Sequence, residues 1–130
     1  GGRVHAGEAP LDCALREAFE EIGLREESVE VLGALTPVPI PVSGYRVEVF
    51  VGALAGHPGE WTVDPREVRR VLEADPDRLA AEGPRARMER RMIDGTLRAV
   101  PAFRAGDDLV WGATALMLAE FVHVWRAARS

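Results

Sequence analysis

The chain is 130 residues long, 47 % hydrophobic and 28 % charged, with a formal net charge of −5 and a pI near 5.2, values ordinary for one domain around one core. That acidic balance supplies no positive field to gather nucleic acid or an anionic membrane, and no apolar run is long enough to span a bilayer. All 16 cations are Arg, and the lone cysteine, Cys13, excludes an internal disulfide and fits a reducing, cytoplasmic setting.

Residues 3–9 form a polar, glycine-containing loop. A helix follows: Pro10 suits its first turn, Asp12 favours its N-terminal dipole, and Gly23 stands where a left-handed cap is expected, although Ala9 is a poor N-cap. Leu11, Ala14, Leu15, Ala18, Phe19 and Ile22 recur at helical spacing as a buried stripe, with Glu17, Glu20 and Glu21 on its flank. Ser28–Thr36 reads as a strand, after which Pro37, Pro39 and Pro41 predict an extended loop. Tyr45–Leu54 alternates as a strand with Tyr45, Val47, Val49 and Val51 on one face. Gly56–Pro65 is turn-rich, Glu67–Glu73 fits either strand or helix, and Asp75-Pro76-Asp77 begins a short helix through Ala81. Residues 85–93 are Arg-rich and extended, Asp94-Gly95 signals a two-residue hairpin, and Thr96–Phe103 returns. After a turn at Ala105–Asp108, Gly112–Ala128 closes as a helix that is apolar nearly all round, as in a buried helix or a homodimer interface. Trp111 and His123 are expected to pack, and Cys13 to fill core space.

Function concentrates in Arg16-Glu17-Ala18-Phe19-Glu20-Glu21. Carboxylates at i, i+3 and i+4 share a helix face and repel one another, a cost that a divalent cation turns into a binding site. All-oxygen ligands suit Mg²⁺ or Mn²⁺, which bind one or two carboxylates together with substrate phosphates. A flexible glycine loop before the helix allows close backbone approach to a phosphate, so metal-assisted hydrolysis at phosphorus follows naturally. Arg16 is placed to fix Glu20 at i, i+4. By itself the triplet fits a solvated helix face better than a metal site.

The longer frame decides between these. Gly2, five residues, Glu8, seven residues, then Arg16-Glu17, Glu20-Glu21 and Gly23-Leu24 match the signature of the Nudix hydrolases, and only Ala18 is smaller than the usual aliphatic there. The resemblance implies an α+β fold with a mixed β-sheet sandwiched between α-helices. It implies Glu17 and Glu21 as metal ligands, Glu20 as a further ligand or base, Arg16 as an orienting residue, Gly2 and Glu8 as loop-shaping residues, and Gly23 as the cap. Val31–Leu35, Pro41–Val47, Asp64–Val68 and Val110–Ala115 resemble the coenzyme A diphosphatase branch, implying a coenzyme A-like nucleotide as substrate. ADP-ribose or NADH, and a non-catalytic nucleotide-binding domain, remain as alternatives. That branch carries a further motif ending in Phe-Pro-Gly-Gly, of which Gly1-Gly2 are present, so the chain is expected to be a single domain lacking its first strands.

Other candidates follow from charge and shape. Glu67 fits a plain surface residue better, and otherwise offers a catalytic carboxylate from a loop. Tyr45 is suited to line the pocket and Trp61 to stack on adenine. Arg85, Arg87, Arg90 and Arg91 are suited to grip a 3′-phosphate, Arg87 and Arg91 above all, or to blunt an exposed strand edge.

Overall fold

In the computed structural model, which describes residues 1–130, the chain packs as two compact units, each assembled from two stretches. Gly1–Leu35 joins Glu48–Val71 in the first, and Thr36–Val47 joins Leu72–Ser130 in the second. Helix α1 (Pro10–Ile22) leads the first unit. Pro10 occupies its opening turn, and Ala9 gives it no side-chain cap. Its other end is closed firmly: Gly23 turns left-handed at φ 72°, and its N–H donates to Phe19 O at 2.9 Å while Leu24 N–H donates to Ala18 O at 3.3 Å. A side chain at Gly23 would be strained there, and its Cβ would fall 2.9 Å from Thr62 Cβ.

The apolar stripe of α1 is less covered than its periodicity predicts. Cys13 is buried, but Phe19 stays 60 % exposed. Leu15 and Phe19 border an open cavity of about 560 Å³ with Asp12, Arg16, Arg25, Glu26 and Glu27, instead of facing a packed layer.

After a single 3₁₀ turn, β1 (Val29–Ile40) and β2 (Tyr45–Leu54) pair as a two-stranded sheet joined by the turn at residues 41–44. Strand β1 runs through Pro37 and Pro39, where the sequence predicted a loop. In a two-stranded sheet both strands are edges, the position in which a missing backbone donor is tolerated. Thr36 N–H finds its acceptor outside the ladder, on the Glu120 carboxylate at 3.0 Å, and Thr36 Oγ1–H donates to the same group at 2.8 Å. Residues 67–73 adopt neither strand nor helix, because local turns around Asp64 satisfy their first amides.

In the second unit, α2 (Pro76–Glu82) is capped by Asp75, whose carboxylate accepts from Asp77 N–H at 2.8 Å. Strands β3 (Ala86–Arg91), β4 (Leu97–Ala105) and β5 (Asp108–Val110) form an antiparallel sheet in that order. The β3–β4 connection holds three residues, Ile93 to Gly95, between the bonded Met92 and Thr96, one more than predicted. A two-residue loop of the Asn-Gly type needs positive φ at both positions, and only Gly95 has it, at 81°. Strand β5 escaped the sequence reading, since three residues are too few to show alternation.

Helix α3 (Gly112–Ala128) covers this sheet. Phe103, 1 % exposed, packs with Leu79, Ala80, Ala115 and Val122, and Val110, Leu118, Phe121 and Trp125 flank them. Burying such a phenylalanine contributes about 1.5–3 kcal/mol. Trp125 Nε1–H donates to Asp77 Oδ1 at 2.8 Å, tying α3 to the first turn of α2. Trp111 is half-buried at the start of α3 and His123 is exposed, so neither packs as expected. The class is α+β as predicted, with antiparallel strands in a two-stranded and a three-stranded sheet. Strands joined by turns this short pair antiparallel, because a parallel neighbour needs a long crossover.

Candidate active site

One turn of α1 carries Glu17, Glu20 and Glu21, and Arg16 ties two of them to the loop before the helix. Its Nε–H and Nη2–H grip Glu8 at two points, 2.7 Å to Oε2 and 3.0 Å to Oε1. The remaining Nη1 serves two carboxylates, 2.8 Å to Glu17 Oε1 and 3.2 Å to Glu20 Oε2. This two-point pairing holds the Glu8 carboxyl at about 2, well below its ordinary 4.5, helped by the His5 N–H. Arg16 is pushed above its ordinary value by the same bond. The i, i+4 contact of Arg16 with Glu20 is present as predicted, and the grip on Glu8 is the stronger link that spacing alone did not give.

Gly2 lies directly over this turn. A Cβ there would sit 2.2 Å from Glu17 Cδ, so no side chain fits without displacing that carboxylate. The amino terminus of Gly1 donates to Glu21 Oε1 at 2.7 Å. Cys13 is buried beneath, its thiol weakly bonded to Gly2 O at 3.7 Å and pushed up in pKa by burial, the profile of core filler.

The loop after β2 docks on the far end of α1. Thr62 N–H donates to Ile22 O at 3.2 Å and Asp64 N–H to Glu21 O at 2.9 Å. From there Asp64 starts a turn, with Glu67 N–H and Val68 N–H bonded to its carbonyl at 3.1 and 2.8 Å. The result is a cavity of about 430 Å³ lined by Glu17, Glu20, Glu21, Asp64, Arg66 and Glu67. Four of the sequence candidates, Glu17, Glu20, Glu21 and Glu67, thus line one space.

Asp64 and Arg66 entered the sequence reading only through family resemblance, not as site residues. Arg66 donates from Nε to Asp64 Oδ1 at 3.0 Å and from Nη2 to Oδ2 at 2.7 Å, which lowers the Asp64 carboxyl to about 2. The signal was available: Asp-Pro followed by a polar residue is a turn with a side chain turned back on its own backbone.

The donor set suits a hard divalent cation, since every group facing the cavity except Arg66 is a carboxylate. The carboxylates are not yet gathered: no three acidic, His or Cys side chains stand at metal-holding separation. Arg16 draws Glu17 and Glu20 aside, so a bound cation has to outcompete one shared guanidinium.

The basic candidates lie in the second unit. Arg87 Nη1–H donates to Pro84 O at 3.2 Å, and Arg91 Nη1–H to Gly95 O at 3.0 Å. Arg90 alternates to the opposite face of β3 and lies 4.5 Å over the Trp111 ring. Arg85 borders a smaller cavity, of about 310 Å³, with Arg104 and Glu82. Tyr45 starts β2, 51 % exposed. Trp61 sits in the loop after β2, with His57 edge-on to its ring at 6.3 Å. No helix is long and apolar enough to cross a membrane.

Residues 1–94 match the family model described as NUDIX domain. Over 91 % of its length the chain is 29 % identical to Nudix hydrolase 3 of Caenorhabditis elegans, covering 55 % of that protein. It is 47 % identical over 55 residues to a protein of Citrobacter koseri named uncharacterized Nudix hydrolase NudL, covering 28 % of it. A Salmonella paratyphi B protein of the same name is 39 % identical over 74 residues, with 38 % of it covered. The chain therefore spans about half, or less, of the length of these relatives.

Proposed function

The chain belongs to the Nudix family, and on that premise we propose that it holds the catalytic centre of a hydrolase cleaving the diphosphate of coenzyme A or acyl-coenzyme A with Mg²⁺ or Mn²⁺. The products are 3′,5′-ADP and 4′-phosphopantetheine or its acylated form. The observation that carries the reading is the meeting of Glu17, Glu20, Glu21 and Glu67 around one cavity. Glu17, Glu20 and Glu21 would hold the cation, which when bound would neutralise the diphosphate and acidify water.

The chain's own groups do the rest. Glu67, or Glu20 where it does not ligate the cation, takes the proton of the attacking water. The water oxygen bonds to one phosphorus as the link from that phosphorus to the bridging oxygen breaks, and the departing phosphate carries away the electron pair. Arg16 holds the rotamers of Glu17 and Glu20 by its shared Nη1. Gly2 lets the backbone come close to the acidic turn, where a side chain would collide. The support for the coenzyme A assignment is the resemblance of Val31–Leu35, Pro41–Val47, Asp64–Val68 and Val110–Ala115 to that branch.

A panel of coenzyme A, ADP-ribose and NADH, each with Mg²⁺ and with Mn²⁺, tests the reading. The highest kcat/KM is expected on coenzyme A. Preference for either dinucleotide-type substrate would move the assignment within the family, and no turnover on any would remove it.

A further inference from the structure

Charge is badly out of balance in the cavity at the end of α1. Five carboxylates, Glu17, Glu20, Glu21, Asp64 and Glu67, face one guanidinium, Arg66. A diphosphate adds negative charge to that field, and one divalent cation does not offset the sum. Arg16 gives no help, because Nε and Nη2 are spent on Glu8 and Nη1 on Glu17 and Glu20.

Arg66 is mounted differently. Its Nε and Nη2 pair with the two oxygens of Asp64, which fixes the plane of the guanidinium. An arginine has five N–H donors, so this pairing leaves both protons of Nη1 and one of Nη2 directed away from Asp64. The backbone reinforces the mount: Arg66 N–H donates to Asp64 Oδ1 at 2.9 Å, and Asp64 N–H to Glu21 O at 2.9 Å. Arg66 therefore rides on the same short turn as Glu67, braced against the helix that carries the acidic triplet. Its side chain is 86 % exposed, so the outward edge is open to a ligand.

We propose that Arg66 is a phosphate-gripping residue of this site, its outward guanidinium edge taking non-bridging oxygens of the substrate's diphosphate while Asp64 holds it in plane. The nature of the ligand rests on the hydrolase reading above. Asp64, in this role, is a positioning residue that holds the Arg66 guanidinium in plane beside the carboxylates lining the cavity.

Calorimetric titration of inorganic pyrophosphate into the full chain at saturating Mg²⁺ tests this, with Mg²⁺ alone titrated as a control. Arg66→Ala and Arg66→Gln should each weaken pyrophosphate binding about tenfold. Arg66→Lys should recover part of the loss, since it restores charge without the fork. Mg²⁺ affinity should hold within about twofold or tighten. Unchanged pyrophosphate affinity in both neutral variants would overturn the proposal, as would no detectable binding to the unaltered protein. A parallel fall in Mg²⁺ affinity and melting temperature would reduce Arg66 to a structural part. If binding depends on Arg66 but no diphosphate ester is turned over, the hydrolase reading fails and this one stands. Turnover with an unchanged KM in Arg66→Ala gives the reverse.

Discussion

As text, the acidic run on α1 and the basic run around β3 look alike, each a short stretch crowded with one sign of charge. In the fold they part ways. Helical spacing puts Glu17, Glu20 and Glu21 on one side of a single turn, and the loop from Thr62 to Val68 brings Asp64 and Glu67 to meet them. The period of two on β3 sends Arg90 to one face and Arg87 and Arg91 to the other. There Arg87 and Arg91 bond to nearby carbonyls, and Arg90 settles on Trp111. Like charges on a helix turn are pressed together and invite a counter-ion, whereas on a strand they are dispersed and find local partners.

Substitutions can break this contrast or sharpen it. The largest effect is expected from Glu21→Gln, which removes a charge from the cavity while keeping the shape of the side chain. Turnover with Mg²⁺ should fall by about three orders of magnitude with an unchanged melting temperature, and retained activity would end the metal assignment. Arg16→Ala comes next, since it frees Glu8, Glu17 and Glu20 at once. Metal affinity or kcat should drop about 10–100-fold, read by Mn²⁺ titration and by steady-state kinetics. On the basic side, Arg87→Ala combined with Arg91→Ala should change kcat by less than about twofold, the usual scale for exposed charges. A rise in KM for coenzyme A much larger than for its 3′-dephospho form would assign the 3′-phosphate to β3.

The smallest effect is one of pH. The Glu8 carboxyl lies at about 2 in the fold against an ordinary 4.5. Its pKa is depressed, so the Glu8–Arg16 link contributes fully above pH 4.5 and is lost as pH falls through about 2. Carboxyl chemical shifts followed by NMR should place that midpoint, and in Arg16→Ala it should return toward the ordinary value. Asp64, held at about 2 by Arg66, should respond to Arg66→Ala in the same manner.

Where a pattern repeats many times, the sequence was read correctly. The ends of α1, of β2 and of α3 stand where periodicity and capping residues put them, because a dozen or so residues vote on each. Pro37 and Pro39 misled because proline marks a lost donor, and whether that donor is needed depends on having a neighbour strand. Residues 67–73 were ambiguous for a related reason: their amides are settled by Asp64, at the start of the preceding turn. The exposure of Phe19 is tertiary information, since a helical stripe says which face is apolar and not what lies against it.

In the site, Glu17, Glu20, Glu21 and Arg16 share one helix turn by spacing, and the longer frame from Gly2 to Leu24 is what singled them out. The approach of Glu67 is a contact between residues far apart in the chain, which helix spacing does not give. The two-point grip of Arg16 on Glu8 depends on how the loop before α1 folds back on the helix, although the family signature contains both residues.

Glu21 belongs to this site twice over. Its carboxylate faces the cavity, and its backbone carbonyl receives the Asp64 amide that moors the loop carrying Arg66 and Glu67. Mutagenesis reaches the first of these and is blind to the second, since every side chain leaves the carbonyl in place. Exchange of the Asp64 amide with deuterium is therefore a direct gauge of assembly: each fraying of the last turn of α1 should unmoor the loop and expose that proton. A ligand bridging helix and loop should slow its exchange, and would do so even in a variant that no longer turns over substrate.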